Sequence, residues 1–234
     1  MNVNFTAKPI DFKLGEYMSK GFELLKKDFG NIFVAFLLCF IMSIIPFCGF
    51  LAVGNFYKFL RKVNNGQQAS PGEIFNFDDF MPYFILQLII FAGIIVLYIP
   101  FFFIMPAMAI AQGEGEPNPG LMLFMFPYLF LMIAVIYFFL LKGFYIPALI
   151  SFKRVTDIQT AWRASKVMTK NNLLSILLFA IVVGILSQLG IIACGIGLFV
   201  TLPFMYTANY FAFEDAMKQI EHDEISEIGI QEKY

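Results

Sequence analysis

The chain has 234 residues, 59% of them hydrophobic and 14% charged, and a mean hydropathy of +0.76; soluble domains sit near ~45–50% apolar and ~25% charged. A soluble core of this size could bury only a fraction of its 31 Phe residues, and the rest would form aggregating patches, so the composition excludes an ordinary soluble globule and points to lipid as the solvent. A net charge of -1 predicts neither nucleic-acid binding nor an acidic partner, which leaves the placement of the charges as the informative quantity.

Residues 1–30 are polar and carry Lys8, Lys13, Lys20, Lys26 and Lys27 without a short apolar core, so they do not read as a cleavable signal peptide. Within them, Asp11–Asp28 predicts an amphipathic helix with Phe12, Tyr17, Leu24 and Leu25 on or near one face and the lysines largely opposite. The apolar block that follows, 31–60, is long enough for one kinked span or a tight hairpin of two short ones. Lysine and arginine near span ends stay in the cytoplasm, and a single span would put the N-terminal lysines and Arg61-Lys62 on opposite sides. A turn at Pro46-Phe47-Cys48-Gly49 returns Arg61 and Lys62 to the same side.

The next loop carries Glu73, Asp78 and Asp79, where adjacent carboxylates point about 100° apart on a helix and are better read as capping the helix before Phe80 than as an ion site. Block 82–111 contains Pro100 and Pro106, which bend a helix and can mark a hinge lining a cavity. The loop 113–120, with Glu114 and Glu116 and no basic residue, is expected outside; 121–141 crosses back, and Lys142, Lys153 and Arg154 are expected inside. A second amphipathic helix is predicted over 156–170, with Ile158, Ala161, Trp162, Ser165 and Met168 near one face and Arg163 and Lys166 among its basic residues. A second hairpin, 172–213, turns at the uncharged 188–195, contains the third candidate hinge residue Pro203, and leads to an acidic tail, 214–234, that holds the single His222.

The fold class expected is therefore an all-α integral membrane protein, one membrane domain over 1–234. It has six transmembrane helices (31–45, 48–60, 82–111, 121–141, 172–187 and 191–213), with N- and C-termini cytoplasmic in the cell inner membrane. The span 48–60, about 13 residues, is short for a crossing and leaves a re-entrant first hairpin open. The two hairpins, each preceded by an amphipathic helix and each carrying a Cys-Gly pair at its turn, are expected to be a parallel internal repeat. The amphipathic helices are expected to lie in the headgroup plane, with Lys20, Lys26, Lys27, Trp162, Arg163 and Lys166 as lipid-interface residues; ordinary juxtamembrane snorkelling accounts for the same pattern.

Gly15-Glu16-Tyr17, the run Gly21–Gly30, Leu189-Gly190, Cys194–Gly197, Thr201-Leu202-Pro203 and Tyr210 together resemble a large group of uncharacterised bacterial multi-pass inner-membrane proteins. That group includes the membrane domain of glycerophosphoryl diester phosphodiesterases. The resemblance covers both ends of the chain and implies architecture without any catalytic residue; the catalytic domain that the phosphodiesterase label needs is not in this sequence.

No Asp, Glu, Lys, Arg or His lies well inside an expected span, which argues against ion-coupled transport. One His excludes paired-His metal sites, and neither a phosphate-cradling loop nor zinc spacing is present, so no catalytic residue, metal or cofactor is expected. Cys48 and Cys194 share the outer side and could be bridged or separate. Ser187, Thr201, Thr207 and Asn209, with Gly184, Gly190, Gly195 and Gly197, fit helix–helix hydrogen bonding and close packing. The function expected is that of a non-enzymatic scaffold or accessory subunit of an envelope complex, with membrane lipid and other membrane proteins as partners and no nucleic acid. A lipid carrier with its cavity near Pro100, Pro106 and Pro203 is the alternative, and a membrane sensor the third reading.

Overall fold

The computed structural model describes residues 7–112, 119–192, 195 and 197–231, and among them there is no strand. Nine α-helices follow in order: α1 (Leu14–Lys27), α2 (Phe29–Ile44), α3 (Gly49–Asn64), α4 (Phe80–Gln112), α5 (Pro119–Lys142), α6 (Ile146–Lys153), α7 (Ile158–Met168), α8 (Leu173–Ile192) and α9 (Leu198–Gln231), with a 3-10 turn at Pro71–Phe75 between α3 and α4. They divide into two compact units, one formed by the chain up to Phe84 and from Leu141 onward, the other by Ile85–Leu140.

By length and apolarity, three helical segments can cross a membrane: Phe80–Ala107, Phe126–Lys153 and Leu173–Ile192. A fourth is added if α1 and α2, which meet at a 101° bend, form one broken span. Six straight spans are not what the helices offer. At about 1.5 Å per residue, α2 and α3, 16 residues each, reach roughly 24 Å against a hydrocarbon core of ~30 Å. The turn between them falls where the sequence placed it, with Phe47 in the left-handed region at φ 64° and Cys48 buried.

In the first unit, α1 does not lie free on a surface. Tyr17, Gly21, Leu24 and Leu25 are buried, and α1 packs chiefly on α9. The apolar face expected to meet lipid is thus covered by protein. Gly21 is what allows the approach, since a Cβ there would come within 2.8 Å of the Ala208 backbone nitrogen, inside van der Waals contact. Tyr17 joins Phe179, Val183, Ala208 and Ala212 in one buried cluster, with Phe12 edge-on to Tyr17 at 5.0 Å and to Phe179 at 5.5 Å. The segment before α1 is tied down as well, because the Ile10 N–H donates to the Met168 carbonyl at 3.1 Å and the Asn172 side chain donates to the Ile10 carbonyl.

Helix α7 behaves like α1. Asp157 caps its N-terminus, accepting from the backbone N–H groups of Gln159 and Thr160, as first-turn donors require. Its inner face, Ala161, Ala164, Ser165 and Met168, is buried in protein, where the Ser165 hydroxyl donates to the Lys142 carbonyl at 2.7 Å. Helix α6 lies in a stretch left as an inner loop by the span assignment, yet Ala148, Leu149 and Ile150 are buried. Gly54 of α3 admits the Tyr83 ring, whose hydroxyl reaches Ser151 Oγ at 2.6 Å and the Pro147 carbonyl at 3.1 Å. A polar knot thereby joins α3, the start of α4 and α6.

Helix α9 corrects the boundary at 213. The residues read as the start of an acidic tail continue the helix to Gln231, and Glu214, Ala216, Met217 and Ile220 are buried. Between α8 and α9 the expected close contact is present at Gly190, where a Cβ would meet the backbone of residues 197–198 within 2.5 Å, but not at Gly184, whose Cβ position is open. Thr201 Oγ1 donates to the Ser187 carbonyl at 2.8 Å across the pair, whereas Thr207 and Asn209 bond within their own helix.

In the second unit, α4 continues as an unbroken helix through Pro100 and Pro106 and α5 through Pro127. Between the two helices, the Tyr128 hydroxyl donates to the Leu97 carbonyl, and the Phe101 and Tyr128 rings meet at 5.3 Å. No residue in the most apolar stretch of Phe80–Ala107 is buried.

Candidate functional site

The charged residues of the first unit gather where α3 ends and α9 turns polar. Arg61 Nε lies 3.0 Å from Glu214 Oε2, and Lys218 Nζ lies 3.5 Å from Glu214 Oε1. Glu214 is only 4% exposed, so its charge is held by these partners rather than by water. The Arg61 guanidinium also lies over the Phe152 ring at 4.8 Å. Beside this, Asp215 Oδ2 accepts from the Tyr17 hydroxyl at 2.7 Å and from Gln219 Nε2 at 2.6 Å, and Lys13 approaches its other oxygen at 3.7 Å. Burial, followed by the hydrogen bond to Asp215, holds the Tyr17 phenol well above the usual tyrosine range. Lys58 pairs with Asp79, Lys62 with Glu73 at 2.9 Å, and Lys153 with Glu221 at 3.1 Å. Asp79 is therefore an ion-pair partner, while Asp78 accepts from the Asn76 side chain.

Between α1 and α9 this layer opens into a cleft of about 370 Å³. Glu16, Tyr17, Lys20, Glu23, Leu24 and Lys27 of α1 line one wall, Phe211, Glu214, Asp215 and Lys218 of α9 the other, with Asn64 at the end of α3. Residues 16, 20, 23 and 27 recur every three or four positions and so share one face of α1. That face lies beside the one Gly21 and Leu25 press into the core.

Of the lipid-interface residues expected from sequence, Lys20 and Lys27 line this cleft, with Lys20 paired to Glu16 at 2.5 Å. Lys26 instead lies over the Phe22 ring at 4.6 Å. Trp162, Arg163 and Lys166 sit on α7 away from its buried face, with Lys166 over the Trp162 ring at 5.8 Å. Pro100 and Pro106 fall in the second unit and Pro203, which is buried, in the first. In the second unit Pro106 closes one end of an apolar groove of about 300 Å³ lined by Tyr98, Phe101, Phe102 and Met105.

Among the described residues no group of His, Cys, Asp and Glu is arranged to hold a metal ion. Cys39 and Cys48 are free and buried; Cys194, the 113–118 loop with Glu114 and Glu116, and the His222 side chain lie outside the described residues. The pairing of Tyr17 with Asp215 and of Arg61 with Glu214 had no signal in the sequence, since each joins residues more than 150 positions apart with no spacing rule between them. No family model, curated protein or solved structure matches the chain.

Proposed function

We propose that the chain is a non-enzymatic multi-pass membrane protein that works through contacts, as a scaffold or accessory subunit of an envelope complex. The observation that carries this reading is the contrast between its two parts. In the first unit, the cations of α3 are all held in ion pairs, Arg61 with Glu214 of α9, Lys58 with Asp79 and Lys62 with Glu73. In the second, the most apolar stretch of Phe80–Ala107 has no buried residue and presents large side chains such as Phe91, Val96, Phe102 and Phe103 outward. A surface of that kind is covered in the membrane by lipid or by another protein's helices.

Six crossings with both termini cytoplasmic remain the topology we favour. It is supported by the ion pairs Arg61–Glu214, Lys13–Asp215 and Lys153–Glu221, which gather the polar ends of four separate segments at one level, as expected if every intervening hairpin returns to its starting side. The short α2–α3 hairpin then crosses a thinned bilayer or re-enters it. The order of amphipathic helix, helix, turn and helix, met at α1–α3 and again at α7–α9, agrees with a parallel duplication.

Affinity purification of the full chain in mild detergent tests the scaffold reading: one or more membrane proteins should co-purify in stoichiometric amount, and a lone monomer contradicts it. The groove beside Pro106 favours one alternative, a carrier of an acyl-chain molecule; selective enrichment of one lipid over bulk membrane in the purified protein would favour that reading.

A further inference from the structure

We propose that the α2–α3 hairpin does not cross the membrane but enters only the leaflet at which α4 begins, where its tip is an interaction surface for the acyl chains of that leaflet alone. The inference decides between crossing and re-entry for this hairpin, and it rests on the proposed topology only in naming the leaflet as the cytoplasmic one. Its ground is the depth at which neighbouring segments meet α3. The apolar stretch of α4 that runs to Ala107 opens at Phe80, so the residues just before it mark where that helix leaves water. Asp79 pairs with Lys58 and Glu73 with Lys62 at 2.9 Å, while Asn55 Nδ2 donates to the carbonyls of Ile74 and Asn76 at 2.9 and 2.6 Å. The polar loop 71–79 is therefore laid along α3 from Lys62 to Asn55. One residue further on, Gly54 receives the ring of Tyr83, three residues into α4. The Gly54 carbonyl also accepts from Ser151 Oγ at 3.2 Å, two residues before Lys153 at the end of α6. Both α4 and α6 thus have their polar ends beside the middle of α3.

What lies beyond them is short. From Lys58 to Gly49, α3 rises about 14 Å, roughly one leaflet of a hydrocarbon core ~30 Å thick. The turn then meets the start of α4: the Phe47 and Phe84 rings pack edge-on at 5.4 Å, and Phe84 is only four residues into that helix, about 6 Å along its axis. A turn on the far side of the bilayer would instead stand beside residues about 20 positions into a crossing helix. The tip is nonetheless built for hydrocarbon. Phe40, Ile41, Ile44, Ile45, Phe47 and Phe50 are all exposed, a group that water does not tolerate together. Its backbone is suited as well, because the Ile45 N–H donates to the Met42 carbonyl and the Cys48 N–H to the Ile45 carbonyl, both at 3.1 Å, and Pro46 has no N–H to leave unpaired. The Lys58–Asp79 pair then stops the hairpin at the headgroups.

Two variants of the full chain test the depth. Pro46→Cys, with Cys39, Cys48 and Cys194 replaced by Ala, is probed in intact cells with a membrane-impermeant maleimide. Phe47→Trp, with the single native tryptophan, Trp162, replaced by Phe, is reconstituted into vesicles and its fluorescence followed with acyl-chain-brominated phosphatidylcholine and with aqueous iodide as quenchers. Pro46→Cys should stay unlabelled from outside, and Phe47→Trp should lose fluorescence to the brominated lipid and keep it in iodide. Labelling of Pro46→Cys from outside, or quenching of Phe47→Trp by iodide and not by the lipid, overturns the proposal. Gln68→Cys in the same cysteine-free background separates this from the topology it rests on: labelling of that position in intact cells overturns the cytoplasmic assignment, while the quenching still decides whether the hairpin crosses.

Discussion

A carboxylate buried as deeply as that of Glu214 is stable only while its partners stay in place. Removing Arg61 leaves Lys218, at 3.5 Å and largely in water, as the nearest cation, so Arg61→Ala should destabilise the protein by roughly 2–3 kcal/mol. That is below the 3–5 kcal/mol of a fully buried pair because Arg61 itself keeps some exposure. Thermal unfolding in detergent reads the loss, and the double variant Arg61→Met with Glu214→Leu should recover most of it, since neither charge is then stranded. Tyr17 gives the residue scale a pH signature. Its folded pKa is raised above the ordinary 10.0, so the native state holds this proton more tightly than the unfolded chain. The contribution is fully present below about pH 10 and is lost as pH rises beyond it toward the folded value. The parent should therefore lose melting temperature above about pH 10 more steeply than Tyr17→Phe, and parallel curves would contradict the burial of that hydroxyl. None of these partners was legible in the sequence. Tyr17 read correctly as part of an apolar face, but nothing in a run of residues says which distant carboxylate its hydroxyl will meet.

At the scale of elements, helical periodicity and charge placed α1, α7 and α8 to within a few residues, because each boundary carries a polar signal such as Asp28, Asp157 or Asn172. Three elements departed from expectation for one reason: hydropathy reports that a segment is apolar, not what covers it. The amphipathic faces of α1 and α7 have the pattern of interfacial helices, yet they are buried against protein. Helix α9 keeps an inward apolar stripe of Ala216, Met217 and Ile220 beneath a charged exterior, which reads in sequence as an acidic tail. The crossing of α1 over α9 depends on Gly21. Gly21→Ala should push α1 away from Ala208 at a cost of about 1–3 kcal/mol, whereas Gly15→Ala, at a position with open space around its Cβ, should leave stability unchanged or raise it slightly. Unfolding midpoints of the two variants, compared side by side, check this.

For the whole molecule, composition alone identified the solvent, and the all-helical structure with several membrane-length apolar helices agrees with it. The number of crossings was less legible, since α2 and α3 are each too short to declare themselves and their path depends on the thickness of the surrounding bilayer. The central claim of the proposed topology is that the polar ends of α3, α6 and α9 share one face of the membrane, a reading that the ion pairs between them support. It is tested most directly by single cysteines at Gln68, Arg154 and Gln219, introduced after Cys39, Cys48 and Cys194 are replaced by Ser, and probed in intact cells with a membrane-impermeant maleimide. All three should stay unlabelled until the cells are lysed. Labelling of any one of them from outside while another stays protected would contradict the account.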